Sequence, residues 1–203
     1  MPKIGIKETR RQQLIQATLE SIAEVGLQDT TILSISGKAQ LSSGIISHYF
    51  GGKQGLIEAA LRHLLEQLRQ DLLQRLGDGQ VSPEQRLVAI VEANFSEFQR
   101  SELAGRTWLS FWARAAHEPG LARLQRINNR RLYSNLRYAF ARRLPAAAAS
   151  DAARQAAAMI DGFWLRSTLG DAPAADFAAA ERLCKRFVVA CLNTHAIEEH
   201  LTA

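Results

Sequence analysis

Two groups of residues in this chain combine types and spacings that carry chemistry. The first is aromatic and acidic. Trp108 and Trp112 stand four apart with Phe111 between them, and Asp161 and Trp164 stand three apart. Those spacings put each pair on one helical face. A carboxylate beside tryptophan faces suits a quaternary ammonium, which offers no hydrogen bond and is held by ring quadrupoles at about 0.5–2 kcal/mol each. The same residues also fit an ordinary core, with Asp161 as a cap or an ion-pair member. The second group lies near residues 42–53. If Ile46, Tyr49 and Phe50 turn inward along a helix, Gly44, Ile45, Ser47 and His48 turn outward. Small outward residues beside a histidine let a helix backbone approach the floor of a major groove. Free N–H groups near Ser42 and Lys53 would be natural phosphate sites. Periodicity alone leaves a second reading open, a solvated face of a short connector.

Helices must position both groups. Periodicity of 3.6 residues recurs along the chain and no alternating β-branched run occurs, so an all-α fold is expected. Ile15, Leu19 and Ile22 form one face of a first helix, which Gly26 ends with Leu27 as the apolar residue after the cap. Thr31 caps a short helix over about 32–38, a tight turn spans Ala39 to Leu41, and Ser42 caps a second short helix over about 43–50. A long helix then runs from Lys53 to Leu76 and stops at Gly77-Asp78-Gly79. Ser82-Pro83-Glu84 opens a helix expected to carry Leu87 through Phe98. The tryptophan pair sits on the next helix. A basic helix with Arg130, Arg131 and Leu136 is expected to end at Pro145, before two alanine-rich helices over about 150–169 and 174–197.

Composition narrows the function classes. The chain has 203 residues, 47% hydrophobic and 22% charged, which is globular and excludes a disordered or collagen-like protein. Its longest stretch without Asp, Glu, Lys or Arg is 14 residues, Ala39 to Gly52, too short and too polar to span a membrane. MPKIGIKETRR carries no apolar signal region, so the expected compartment is cytoplasmic. Cys184 and Cys191 would lie about 10.5 Å apart along one helix, too far to pair, and read as buried free thiols. No metal-binding or phosphate-loop motif occurs. Glu198-Glu199-His200 sits at the C-terminal end, and Asp161 lacks a matched acid or base, so an enzyme is the disfavoured class. Net charge is +5, yet residues 1–60 hold six cations against five anions, with Lys3, Lys7, Arg10 and Arg11 forming a basic N-terminal arm.

Residues 31–57, TILSISGKAQLSSGIISHYFGGKQGLI, resemble the DNA-binding signature of the TetR family of repressors. WLSFWARAAHEPGLARLQRINNRRLYSNL and IDGFWLR extend the likeness to that family's choline-responsive members along nearly the whole chain. The resemblance implies a helix-turn-helix domain over residues 1–52 and a larger ligand-binding and dimerisation domain over 53–203, joined by a long helix over about 53–76. It implies DNA contacts at Thr31, Lys38, Ser42, Ser43, Gly44, Ile45, Ser47, His48, Tyr49 and Lys53. It implies a homodimer through the last two helices, on double-stranded operator DNA. A small organic cation such as choline would be the effector, held by Trp108, Phe111, Trp112, Asp161 and Trp164, with no cofactor, metal or catalysis. An unrelated effector and a ligand-blind DNA binder are the alternatives. Two positions depart from the family pattern: Gln40 replaces the usual turn glycine, and Ser36-Gly37 interrupts the preceding helix with poor helix formers.

Overall fold

The computed structural model describes the backbone of residues 3–201 and the side chains of residues 5–193, which leaves Glu198, Glu199, His200 and the Lys3 side chain outside the described residues. Among the described residues all regular structure is helical: α1 (Lys3–Asp29), α2 (Ile32–Ala39), α3 (Gly44–Phe50), α4 (Lys53–Leu76), α5 (Pro83–Asn94), α6 (Glu102–Ala115), α7 (Pro119–Phe140), α8 (Ala146–Leu169) and α9 (Pro173–Leu201). They pack as two compact units, Met1–Gln67 with Ser101–Arg126, and Leu68–Arg100 with Ile127–Ala203. The chain passes between the units three times: inside α4, between Arg100 and Ser101 just before α6, and inside α7.

The first unit is organised by α1. Leu14, Ile15, Ala17, Leu19 and Ile22 recur at helical spacing and are all buried. Buried Thr18 is satisfied by donating its hydroxyl to the Leu14 carbonyl at 2.7 Å. Both α2 and α6 pack on α1, and Arg106 of α6 donates to the Ala23 carbonyl at 3.2 Å. Gly26 leaves helical geometry (φ 79°, ψ 164°) and ends the first helical segment of α1, as the sequence implies. The chain turns once more through Asp29, the Thr30 amide and hydroxyl both return to the Gly26 carbonyl, and Leu27 is buried at 6% exposure.

Local capping follows the sequence at several points. Thr31 forms a reciprocal capping box with Ser34, two bonds of 3.0 Å. Gln40 holds the left-handed position after α2 (φ 54°, ψ 39°), a conformation that costs a non-glycine residue ~1 kcal/mol. A second cost lies at Gly37 inside α2, where an added Cβ meets nothing within 4 Å. Gly37→Ala is therefore expected to raise stability by about 0.5–1 kcal/mol, or a melting temperature higher by about 1–4 °C, read by circular dichroism.

In the second unit α8 and α9 follow each other across a short turn and pack together, and α5 packs on α9. Ala149, Ala152, Ala153 and Ala156 of α8, and Phe177, Ala180, Cys184, Val188 and Leu192 of α9, supply the buried rows. Both cysteines are free, and burial pushes the Cys184 thiol up to about 12. An ion network crosses three helices: Arg75 of α4 and Lys185 of α9 meet Glu92 of α5 at 3.4 and 2.6 Å, and Lys185 also meets Glu181 at 2.6 Å.

Three expected boundaries move. Ser82 caps α5 with Gln85 as a capping box, but α5 ends at Asn94, so Phe98 lies outside it. Asn94 turns its side-chain amide back to the Ile90 carbonyl at 2.8 Å, and Phe95 leaves helical geometry (φ −111°). The basic helix α7 stops at Phe140 rather than at Pro145, and a turn in which the Arg143 and Leu144 amides both donate to the Phe140 carbonyl at 2.9 Å carries the chain on to the proline. The alanine-rich α8 starts at Ala146, directly after that proline.

Candidate nucleic-acid interface and ligand site

α3 is seven residues long and cannot stand alone. Ile46 anchors it at 0% exposure, while Gly44, Ser47 and His48 are exposed and Ile45, Tyr49 and Phe50 are half-buried. Gly44, Ser47 and His48 of the face expected to turn outward are thus exposed, whereas Ile45 is half-buried like Tyr49 and Phe50, which were expected to turn inward. The expected cap is displaced by one residue. Ser43, not Ser42, precedes α3, and it makes no side-chain capping bond, so the first amides of α3 rely on 3.1–3.2 Å bonds to the Ser42 and Ser43 carbonyls. The local reason is backbone geometry: Ser43 is already helical (φ −60°, ψ −31°), which keeps its hydroxyl from reaching back over the first turn.

The far end of α3 is held by the first helix. Arg11 donates to the Tyr49 carbonyl at 2.8 Å and lays its guanidinium over the Phe50 ring, 4.5 Å from its centroid. The Lys7 ammonium lies 6.0 Å from the Tyr49 ring centroid. Two cations of the basic arm therefore position α3, a role the sequence did not reveal because Arg11 and Tyr49 are 38 residues apart. Gly51 (φ 72°) and Gly52 (φ 124°) then turn the chain sharply into α4. Gly55 completes this junction, since a Cβ there would overlap the Phe50 carbonyl oxygen.

Lys53, half-buried, opens α4 beside the free amides of its first turn. Lys38 is less available than the sequence implies, because it pairs with Glu24 at 2.9 Å, and that hydrogen bond and charge raise its pKa. Thr31 is exposed, with its hydroxyl already accepting from Ser34.

The ligand candidates fall in two groups. Trp108 (4% exposed), Phe111 (1%) and half-buried Trp112 belong to α6 of the first unit. The Trp108 and Trp112 rings sit 6.4 Å apart at 42°. Asp161 and Trp164 belong to α8 of the second unit. Trp164 is 5% exposed, donates its ring N–H to the Gln99 carbonyl at 3.2 Å, and meets Phe177 edge-on at 6.1 Å. Phe95 packs edge-on against the same Phe177 at 6.3 Å. Phe111 and Trp164 are therefore well packed, whereas Trp112 retains accessible surface.

Asp161 is exposed, yet desolvation by the surrounding protein pushes its carboxyl up to about 6. Among the described residues no cluster of three or more His, Cys, Asp or Glu side chains could hold a metal, and no helix is long and apolar enough to cross a membrane.

Two family models match the chain. Residues 14–60 match the tetR family of bacterial regulatory proteins, and residues 83–193 match the C-terminal domain of the BetI-type transcriptional repressor. The HTH-type transcriptional regulator BetI of Burkholderia mallei is 49% identical over 93% of this chain and 96% of its own length. BetI of Proteus mirabilis is 50% identical over 95% and 96%. Among solved structures, a TetR transcription regulator from Haloarcula marismortui superposes with a TM-score of 0.80 at 20% identity, covering 90% of this chain and 98% of its own. A transcriptional regulator from Saccharomonospora viridis, solved in complex with choline, superposes with a TM-score of 0.76 at 18% identity, covering 89% and 96%.

Proposed function

The chain belongs to the BetI-type transcriptional repressors of the TetR family, and from that premise we propose that it binds an inverted-repeat operator as a homodimer and is released by choline or a closely related cation. Residues 1–52 supply the DNA-binding domain in this reading, and residues 53–203 supply effector binding and dimerisation. The observation that carries the DNA half is the exposed Gly44, Ser47 and His48 face of α3, anchored by Ile46 and tied down by Arg11.

Two copies of α3 would address successive major grooves, roughly 34–36 Å apart or a multiple of that. His48 is assigned to base edges. Lys53 and the α4 amides are assigned to phosphates, with Thr31, Ser42, Ser43 and Tyr49 around them. Lys38 contributes after exchanging Glu24 for a phosphate. Dimerisation is assigned to α8 and α9, whose small alanine side chains permit close helix approach.

Asp161 is assigned as counter-charge for the effector, with Trp108, Trp112 and Trp164 as aromatic walls and Phe111 as an extra wall. The choline complex of the Saccharomonospora viridis regulator supports this ligand class. Release requires the effector to prefer the conformation whose recognition helices no longer fit the groove spacing. Coupling of this kind is about 1–3 kcal/mol, or about 5–150-fold in DNA affinity. α4 is the assigned coupling element, since it starts beside the DNA contacts and ends in the second unit.

Footprinting of the DNA upstream of the chain's own gene tests the DNA half. Protection of two symmetric half-sites is expected, weakened by His48→Ala for the operator alone and by Lys53→Ala for all sequences alike. Equal affinity for operator and random duplex at ~150 mM salt would contradict it.

A further inference from the structure

The strongest positive charge in this chain does not lie in the helix-turn-helix segment. Residues 121–150 contain seven arginines and no Asp, Glu or Lys, whereas residues 1–60 balance six cations against five anions. Within the second unit Arg130, Arg131, Arg137, Arg142 and Arg143 are all exposed. Arg130 and Arg137 are seven apart on α7, so they share a face about 10.5 Å apart along the axis. Arg142 and Arg143 occupy the turn that follows.

Two neighbouring helices bring further arginines against this face. Arg86 of α5 lies over the Tyr138 ring at 5.0 Å and Arg154 of α8 over the Tyr133 ring at 5.9 Å. Arg137 donates to Ser150 at 3.1 Å, and the adjacent Asp151 is paired with Arg154 at 3.2 Å. Among the described residues Arg130, Arg131, Arg142 and Arg143 have no ion-pair partner.

Like charges kept together and unpaired cost self-repulsion, which a polyanion relieves. The face lacks what a protein partner or a lipid surface would need. Tyr138 is its one exposed large apolar side chain, with no Leu, Ile, Phe or Trp to anchor a partner or enter a bilayer. Arginine, tyrosine, asparagine and serine without apolar anchors match the chemistry of phosphate contacts.

We infer that the arginine face of α7 and its following turn is a second, sequence-independent contact for the phosphate backbone of double-stranded DNA, separate from the helix-turn-helix. It rests on the reading that the protein works on DNA, and adds a site for flanking or second-duplex DNA.

The test uses the full chain and the triple variant Arg130→Ala/Arg142→Ala/Arg143→Ala, with Arg154→Ala, already paired to Asp151, as charge control. Binding to a long random-sequence duplex is measured against salt. Each lost phosphate contact should flatten the slope of log affinity against log salt by ~0.9. The triple variant is therefore expected to lose up to about 3 in slope per chain, with Arg154→Ala nearly unchanged and the operator footprint retained. An unchanged slope overturns the inference. So does arginine-dependent binding to phosphatidylglycerol vesicles with an unchanged DNA slope, which would reassign the face to membranes. Loss of operator selectivity in the wild type, with the arginine-dependent slope intact, would instead overturn the repressor reading and leave this site standing.

Discussion

Gly55→Ala should cost about 1–3 kcal/mol of stability and at least about tenfold in operator affinity. The reason is geometric. The new Cβ would overlap the Phe50 carbonyl oxygen, and both atoms belong to backbone, so no rotamer change relieves the contact. Either the C-terminal end of α3 or the start of α4 must move, and these carry the proposed base and phosphate contacts. α3 has little resistance to such a shift, with seven residues and no side-chain cap. Gly44→Ala is the contrast, because a Cβ there meets nothing within 4 Å. It should leave urea unfolding unchanged and alter DNA affinity only through the outward face. Urea titration and gel shift on both variants separate the two effects; equal unfolding midpoints for Gly55→Ala and wild type would contradict the packing argument.

Asp161→Asn should move stability and ligand affinity in opposite directions. The carboxyl is raised to about 6, so between its usual range near 4 and that value the folded chain holds a proton the unfolded chain has lost. Stability contributed by this group therefore falls as pH rises through that window, and the ionised carboxylate is tolerated above it at a cost. Asparagine removes that cost, so the ligand-free variant should melt higher than wild type at pH 7. Choline affinity should behave inversely, since the cation needs the charge. In wild type it should rise about tenfold between pH 5 and pH 7, following the ionised fraction. In the variant it should be weak and independent of pH. Choline is a permanent cation, so the titration belongs to the protein. Calorimetry at the two pH values reads it, and a pH-independent wild type would remove Asp161 from the site.

Much of the architecture was legible because it is written locally. Thr31, Ser82-Pro83 and Gly77 act within a few residues of where they stand, and the helix boundaries they imply are observed. The exposed Gly44, Ser47 and His48 face also followed from periodicity, because Ile46 fixes the helix rotation. Failures arose where a distant partner decides. Arg11 looked like one more charge in a basic arm, and only the fold brings it to the Tyr49 carbonyl. Gly55 carries no local signal of its role, and only the fold brings the Phe50 carbonyl against it. The ligand residues were legible as types and not as an arrangement. Spacing pairs Trp108 with Trp112 and Asp161 with Trp164, but says nothing of Phe177, which packs edge-on against Trp164.

The coupling between effector and DNA is the centre of this account, and fluorescence anisotropy of the labelled operator with the whole chain reads it most directly. The titration is run at pH 7.5 without ligand, with choline, and with the neutral isostere 3,3-dimethylbutan-1-ol. Choline is expected to weaken operator binding by about 5–150-fold, and the isostere to leave it nearly unchanged. Operator affinity unaffected by saturating choline, or lowered equally by the uncharged isostere, would contradict a cation-released repressor.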